Sequence, residues 1–317
     1  MNYLLLVIGL LFLVKGADVF VTGATSVARR LKIPSLVIGL TIVAFGTSAP
    51  EAAVSITSAL NGQSDITMGN VIGSNMFNFL VVVGAAACIL PFKVKQTIIA
   101  KEFPFVILTS IVMVILIFDI SLGNGRVNVI NRSDGLILMT FFGVFMYYLL
   151  SVALRSAKEG EGEEVLVTIS TGKSIIYLIV GILGIIWGSD IAVDAASNIA
   201  LAWGMSEAMV GLTIIAVGTS LPELMTSLVA ARKGESDIAL GNVIGSNIFN
   251  VFFVLGASAV ITPVSVSGAV AFDAVLLLFI SLVAFVFAIS GMKFSKAEGI
   301  VLMIIYVVYM AFVIIRN

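Results

Sequence analysis

The stretch AFGTSAPE at residues 44–51 returns at 216–223 as AVGTSLPE. Each copy sets a proline and a carboxylate, Glu51 or Glu223, directly behind two hydroxyls, Thr47 and Ser48 or Thr219 and Ser220. Proline inside a helix lacks the N–H that would bond the carbonyl four residues back, and its ring crowds that carbonyl. The carbonyls freed by Pro50 and Pro222 belong to Gly46 and Gly218. Each copy thus gathers carboxylate, hydroxyl and main-chain oxygens at one level. Oxygen ligands in number, without nitrogen or sulfur, are what hard cations such as Ca²⁺ and Na⁺ require.

A second doubled motif follows, GNVIGSNMFN at 69–78 and GNVIGSNIFN at 241–250. Its glycines, spaced four apart, fit close helix packing. Ser74 and Asn78 share one helix face, as do Ser246 and Asn250, and for these four ligation is favoured over interhelical hydrogen bonding. Asn75 and Asn247 fall on another face and read as links between helices. Asn70 and Asn242 stay open to either role. Asp65 and Asp237, each at a helix start, read as N-terminal caps and dipole partners. Asp18 and Asp190 recur in the first helix of each half and read as ion-pair or interhelical residues, with an ion-entry role as the alternative; Lys15 stands one turn from Asp18. Glu102 and Asp273 sit at span ends and read as interfacial.

The elements that must carry these residues are membrane helices. Of 317 residues 60% are hydrophobic and only 11% charged, with mean hydropathy +1.18. A soluble domain carries about a quarter charged residues, so the surrounding solvent is lipid. A net charge of −1 without a basic cluster gives nucleic acid no footing, and nothing calls for an obligatory protein partner. With no histidine and one cysteine, Cys88, the chain has no internal disulfide, no Cys/His zinc site and no histidine relay. Cys88 reads as a small packing residue. The first apolar segment lacks a basic leader and matches an internal one, so it reads as a retained helix.

Apolar runs predict an all-α polytopic membrane protein with about ten spans, at roughly 3–27, 35–60, 66–91, 102–120, 134–154, 174–198, 207–231, 238–261, 270–290 and 297–315. Shifted by 172 residues, 27 of the 46 positions from 39 to 84 are identical without a gap. The register includes Gly9, Gly16 and Asp18 against Gly181, Gly188 and Asp190. The chain therefore divides into two five-helix repeats, 1–154 and 174–317, joined by a polar linker, 155–173. An odd number of spans per repeat inverts the second copy and sets discontinuous helices at the centre. With the N-terminus outside, thirteen loop Lys and Arg residues are cytoplasmic and only Arg126, Arg132 and Arg316 lie opposite, as the positive-inside rule asks. The 5–6 loop is then cytoplasmic, and its acidic run Glu159–Glu164 reads as a solvated linker.

Two such motifs related by inversion face each other near the midplane, and charge there is costly enough that an intramembrane glutamate defaults to function. An enzyme is not expected: no nucleophile–base set, zinc motif or ATP-binding signature is present. A channel with two glutamates at a constriction fits less well than an inverted pair that rocks between two states.

At these residues the chain resembles the cation/calcium antiporter superfamily, whose α-repeats pair GTSxPE with GNxxGSNxxN, and its prokaryotic sodium/calcium exchanger branch in particular. The resemblance implies Ca²⁺/Na⁺ exchange by alternating access in a prokaryotic cytoplasmic membrane, without a cofactor. It makes Glu51 and Glu223 the central cation ligands. Thr47, Ser48, Thr219, Ser220, Ser74 and Ser246 add oxygens, the Ala44 and Ala216 carbonyls add two more, and Asn78 and Asn250 complete the ring. Several relatives carry aspartate where this chain has Asn250, so the formal charge here is at most −2. The resemblance favours Na⁺ as counter-ion, with proton-coupled exchange as the alternative.

Overall fold

Bilayer hydrocarbon offers backbone groups no water to bond, so a chain this apolar must satisfy them within each segment, as helices do. The computed structural model describes residues 1–122, 128–159, 169–205, 214 and 216–316. Its helices are α1 (Asn2–Leu31), α2 (Ser35–Thr47), α3 (Ala49–Leu60), α4 (Ser64–Ile89), α5 (Ile98–Phe118), α6 (Arg132–Glu159), α7 (Thr171–Ala202), α8 (Ala216–Gly218), α9 (Leu221–Arg232), α10 (Ser236–Ile261), α11 (Gly268–Ile289) and α12 (Lys296–Arg316). Among the described residues eight are long and apolar enough to cross a membrane alone, and α2 and α3, bent by 50° at their break, meet the same test together. The protein is a mostly helical polytopic membrane protein. The span expected at 207–231 is described only through α8 and α9. Arg126 and the part of the acidic run that follows Glu159 lie outside the described residues.

Four two-residue strands, β1 (Phe92–Lys93), β2 (Val129–Ile130), β3 (Val264–Ser265) and β4 (Lys293–Phe294), are too short to leave a sequence pattern. They pair antiparallel, β1 with β4 and β2 with β3, and tie loops of the two halves together. Contacts near helix ends tie the halves together in the same way. Arg29 pairs with Glu235 at 3.1 Å and Lys95 with Asp237 at 2.6 Å. Arg132 donates to the Ile261 carbonyl and Trp203 to the Tyr3 hydroxyl.

Burial sets the layers. In the most apolar stretches of α4 and α10, 72% and 78% of residues are buried, against 17% and 11% in α6 and α12, so α4 and α10 form the centre. α1 and α7 cross with backbones in contact. A Cβ on Gly16 would lie 2.8 Å from the Ile185 nitrogen, and one on Gly188 would lie 2.6 Å from the Leu13 nitrogen. Small residues permit this approach, which drives helix association in lipid.

Several charged residues keep only part of their expected roles. Asp18 forms an interhelical ion pair, with Lys233 of α9 at 2.9 Å and not with Lys15. Asp65 and Asp237 stand in the first turns of α4 and α10, yet neither helix has a side-chain cap, and Asp237 goes to Lys95. Glu102 and Asp273, near span starts as expected, are buried within the protein. Glu102 accepts from the Tyr148 hydroxyl, and Asp273 binds Arg316 through two bonds of 2.9 and 2.8 Å. Hydropathy locates a span end but not the face that a neighbouring helix covers. Cys88 is partly buried, beside the backbone of α12.

Candidate cation site

Pro50 and Pro222 do not kink continuous helices. Each occupies the first turn of a new helix, α3 or α9, where its missing N–H costs nothing. The chain turns at Ser48 (φ −85°, ψ 7°) and Ser220 (φ −93°, ψ 4°) and restarts. Glu51 and Glu223 therefore stand in first turns, where the helix dipole favours an anion. The Ser48 N–H bonds the Ala44 carbonyl at 2.9 Å, whereas the Ser220 N–H bonds the Val217 carbonyl at 3.1 Å. In the second copy the carbonyl freed by Pro222 is taken by Ser189 of α7, Oγ to Gly218 oxygen at 2.9 Å. The corresponding residue in the first half is Ala17, which carries no hydroxyl. Ser189→Ala strands that buried carbonyl, and an unfolding scan in detergent is expected to show a loss of about 1–3 kcal/mol.

The two copies meet across the bundle. Ser48 Oγ donates to Glu223 Oε1 at 2.8 Å, and Ser220 Oγ donates to Glu51 Oε1 at 3.1 Å. Ser246 Oγ adds a longer bond to Glu223 Oε1 at 3.4 Å. Thr47 Oγ1 reaches Asn242 Oδ1 at 3.0 Å, and Thr219 Oγ1 reaches Asn70 Oδ1 at 3.3 Å. Asn70 in turn donates to the Glu51 carbonyl and Ser55, while Asn242 donates to the Glu223 carbonyl and Ser227. Each broken helix is thus bonded to the following helix of its own copy and to the motif of the other. Asn70 and Asn242 prove to be bridges. Ser55 and Ser227 belong to the same network, and their identity in both copies was the signal for them.

α4 and α10 each contain a π-helical turn that includes the last asparagine of the motif, Asn78–Val82 and Phe249–Leu255. Such bulges re-aim side chains and recur at functional sites. Glu51, Glu223, Asn78 and Asn250 are all at most 1% exposed. Yet Glu51 Oε2, Glu223 Oε2, Asn78 Oδ1, Asn250 Oδ1 and Ser74 Oγ have no hydrogen-bond partner. Five buried oxygens without partners leave acceptor capacity that buried polar groups ordinarily spend. Ala44 is fully buried, its carbonyl accepting from the Ser48 N–H at 2.9 Å and from Thr47 Oγ1 at 3.3 Å, and Ala216 opens α8 at the matching point. No group of three or more Cys, Asp or Glu that could hold a metal occurs among the described residues. A cation here would rest on two carboxylates and neutral oxygens.

The sequence model of the sodium/calcium exchanger protein family matches residues 1–151 and 173–315. The sodium/calcium exchanger MaX1 of Methanosarcina acetivorans is 33% identical, with 98% of this chain and 97% of that protein covered. The inner membrane protein YrbG of Escherichia coli is 36% identical over 82% of this chain and 79% of its own length. Among solved structures, the sodium–calcium exchanger NCX_Mj superposes with a TM-score of 0.81 at 30% identity, covering 98% of both chains.

Proposed function

Because the chain belongs to the sodium/calcium exchanger family, we propose that it is a secondary antiporter exchanging Ca²⁺ for Na⁺ by alternating access, at one site shared by its two GTSxPE motifs. The observation that carries this reading is the set of buried oxygens without partners: Glu51 Oε2, Glu223 Oε2, Asn78 Oδ1, Asn250 Oδ1 and Ser74 Oγ. Each buried acceptor left unpaired costs about 1–3 kcal/mol. A desolvated cation offsets that cost for several of them at once. The site's formal charge of at most −2 suits one Ca²⁺ or a load of Na⁺, so the two ions compete for overlapping positions.

Thr47, Ser48, Thr219, Ser220 and Ser246 supply neutral oxygens and hold the carboxylates in place; the Ala44 and Ala216 carbonyls complete the shell. The two repeats, 1–154 and 174–317, form halves that rock against each other and open the site to one side and then the other. The N-terminus lies outside and the 155–173 linker in the cytoplasm of a prokaryotic cell. The lysine and arginine distribution supports that orientation.

Radioactive Ca²⁺ uptake into proteoliposomes loaded with Na⁺ tests this reading. Uptake that requires internal Na⁺ is expected, with saturation and inhibition by external Na⁺. Uptake driven equally well by a pH gradient without Na⁺ would transfer the protein to proton-coupled exchange.

A further inference from the structure

Two asparagines outside the ligand set carry one more inference. Asn75 and Asn247 are 2% and 0% exposed and sit one residue after Ser74 and Ser246. Asn250 Nδ2 donates to Asn75 Oδ1 at 3.2 Å, and Asn78 Nδ2 donates to Asn247 Oδ1 at 3.1 Å. Each bond crosses from one repeat to the other. Asn75 is itself fixed by donating to the Asn247 backbone carbonyl at 3.2 Å, whereas Asn247 Nδ2 is buried without a partner.

An amide has one acceptor end and one donor end, nearly equal in shape. Its orientation is decided by its partners. Once Nδ2 of Asn78 and Asn250 is committed outward, Oδ1 of each is the atom left over, and both Oδ1 atoms are buried and unpartnered. A flipped amide would present two N–H donors to a cation, which is repulsive. We propose that Asn75 is a positioning residue: it holds the Asn250 amide of the opposite repeat with its oxygen toward the cation. The inference rests on the cation-site reading and adds a role that mere attachment of helices does not include. It also gives the site a dependence on both repeats, since the Asn250 amide is aimed from the other half.

A substitution cycle tests it, because a carboxylate has two acceptor oxygens and no wrong way round. Ca²⁺ and Na⁺ binding to the purified full chain would be titrated in wild type, Asn75→Leu, Asn250→Asp and the double variant. Outer-shell partners of ligands are typically worth 10–100-fold in affinity. Asn75→Leu is expected to weaken cation binding about tenfold in the native background and by less than about twofold when combined with Asn250→Asp. Asn75→Asp, which keeps the acceptor, is expected to retain tighter binding than Asn75→Leu. An equal loss from Asn75→Leu in both backgrounds would make Asn75 a helix link only and overturn the inference, with the cation site intact. Binding of Na⁺ without Ca²⁺ would instead overturn the calcium assignment, while the same cycle read with Na⁺ still decides the role of Asn75.

Discussion

Glu51→Gln is expected to lower apparent Ca²⁺ affinity by about 100-fold or more and to abolish measurable Na⁺-driven uptake, and Glu223→Gln is expected to do the same. Outer-shell partners of metal ligands already cost 10–100-fold when removed, so loss of a charged ligand should exceed that range. The change is nearly isosteric, and the bond that Ser220 donates to Glu51 Oε1, or Ser48 to Glu223 Oε1, can persist to the amide oxygen. The atom converted to a donor is then Oε2, the oxygen with no protein partner in either residue. The fold is therefore expected to survive while the cation loses half the formal charge facing it. Equality of the two variants matters as much as their size. If the motifs formed two independent sites, each variant would keep about half of the wild-type Ca²⁺ capacity.

Gly245→Ala is the second large effect expected. Gly245 is the last glycine of the GNVIG segment in α10, and a Cβ there would lie 2.7 Å from the Leu40 carbonyl oxygen, 2.8 Å from the Leu40 Cα and 2.7 Å from the Ala44 Cβ. Two of these are backbone atoms of α2 and cannot rotate away. Gly241, one turn earlier, is equally close, with the Leu36 carbonyl oxygen at 2.9 Å from an added Cβ. Overpacking of this kind costs about 1–3 kcal/mol. Its functional effect is larger, because α2 ends in Thr47 and Ser48. Displacing α2 lengthens the bonds from Thr47 to Asn242 and from Ser48 to Glu223, 3.0 and 2.8 Å in the native protein. Transport is expected to fall by at least about tenfold, since misplacing a site by an ångström is costly. Transport assayed beside thermal unfolding in detergent checks this, and full transport from a normally stable Gly245→Ala protein would contradict the packing argument.

Much of this was legible in the sequence because lipid asks only for oiliness from a spanning helix. Where the two halves agree on glycine, serine, asparagine and glutamate, solvent does not supply the reason, and chemistry must. That contrast picked out Glu51, Glu223 and the Ser74/Asn78 and Ser246/Asn250 faces, all of which the fold buries. The sequence could not say which oxygens would stay unpaired. Ser48 spends its hydroxyl on Glu223, 175 residues away, and Asn75 spends its amide oxygen on Asn250. Those partnerships depend on how the α2–α3 break meets α9 and how α4 meets α10, and no local periodicity records it. The same limit explains Asp18, whose partner Lys233 is 215 residues distant, and Glu102, buried by a neighbouring helix at a point where hydropathy marks only a boundary. Proline was a partial success. Its repeat flagged the break, but the structure replaces the kink with a helix end and a helix start, so the carboxylate gains the field of a new N-terminus.

The most direct test of the central claim is a density map of the protein in a Ca²⁺-containing, Na⁺-free medium. One strong peak is predicted between the two motifs, with carboxylate oxygens of both Glu51 and Glu223 and the Oδ1 atoms of Asn78 and Asn250 about 2.3–2.6 Å away, the range for Ca²⁺–oxygen bonds. It should be lost or replaced when Na⁺ is restored. Two separate peaks, each served by one glutamate, or a Ca²⁺ bound elsewhere with these oxygens still unpaired, would contradict the shared site.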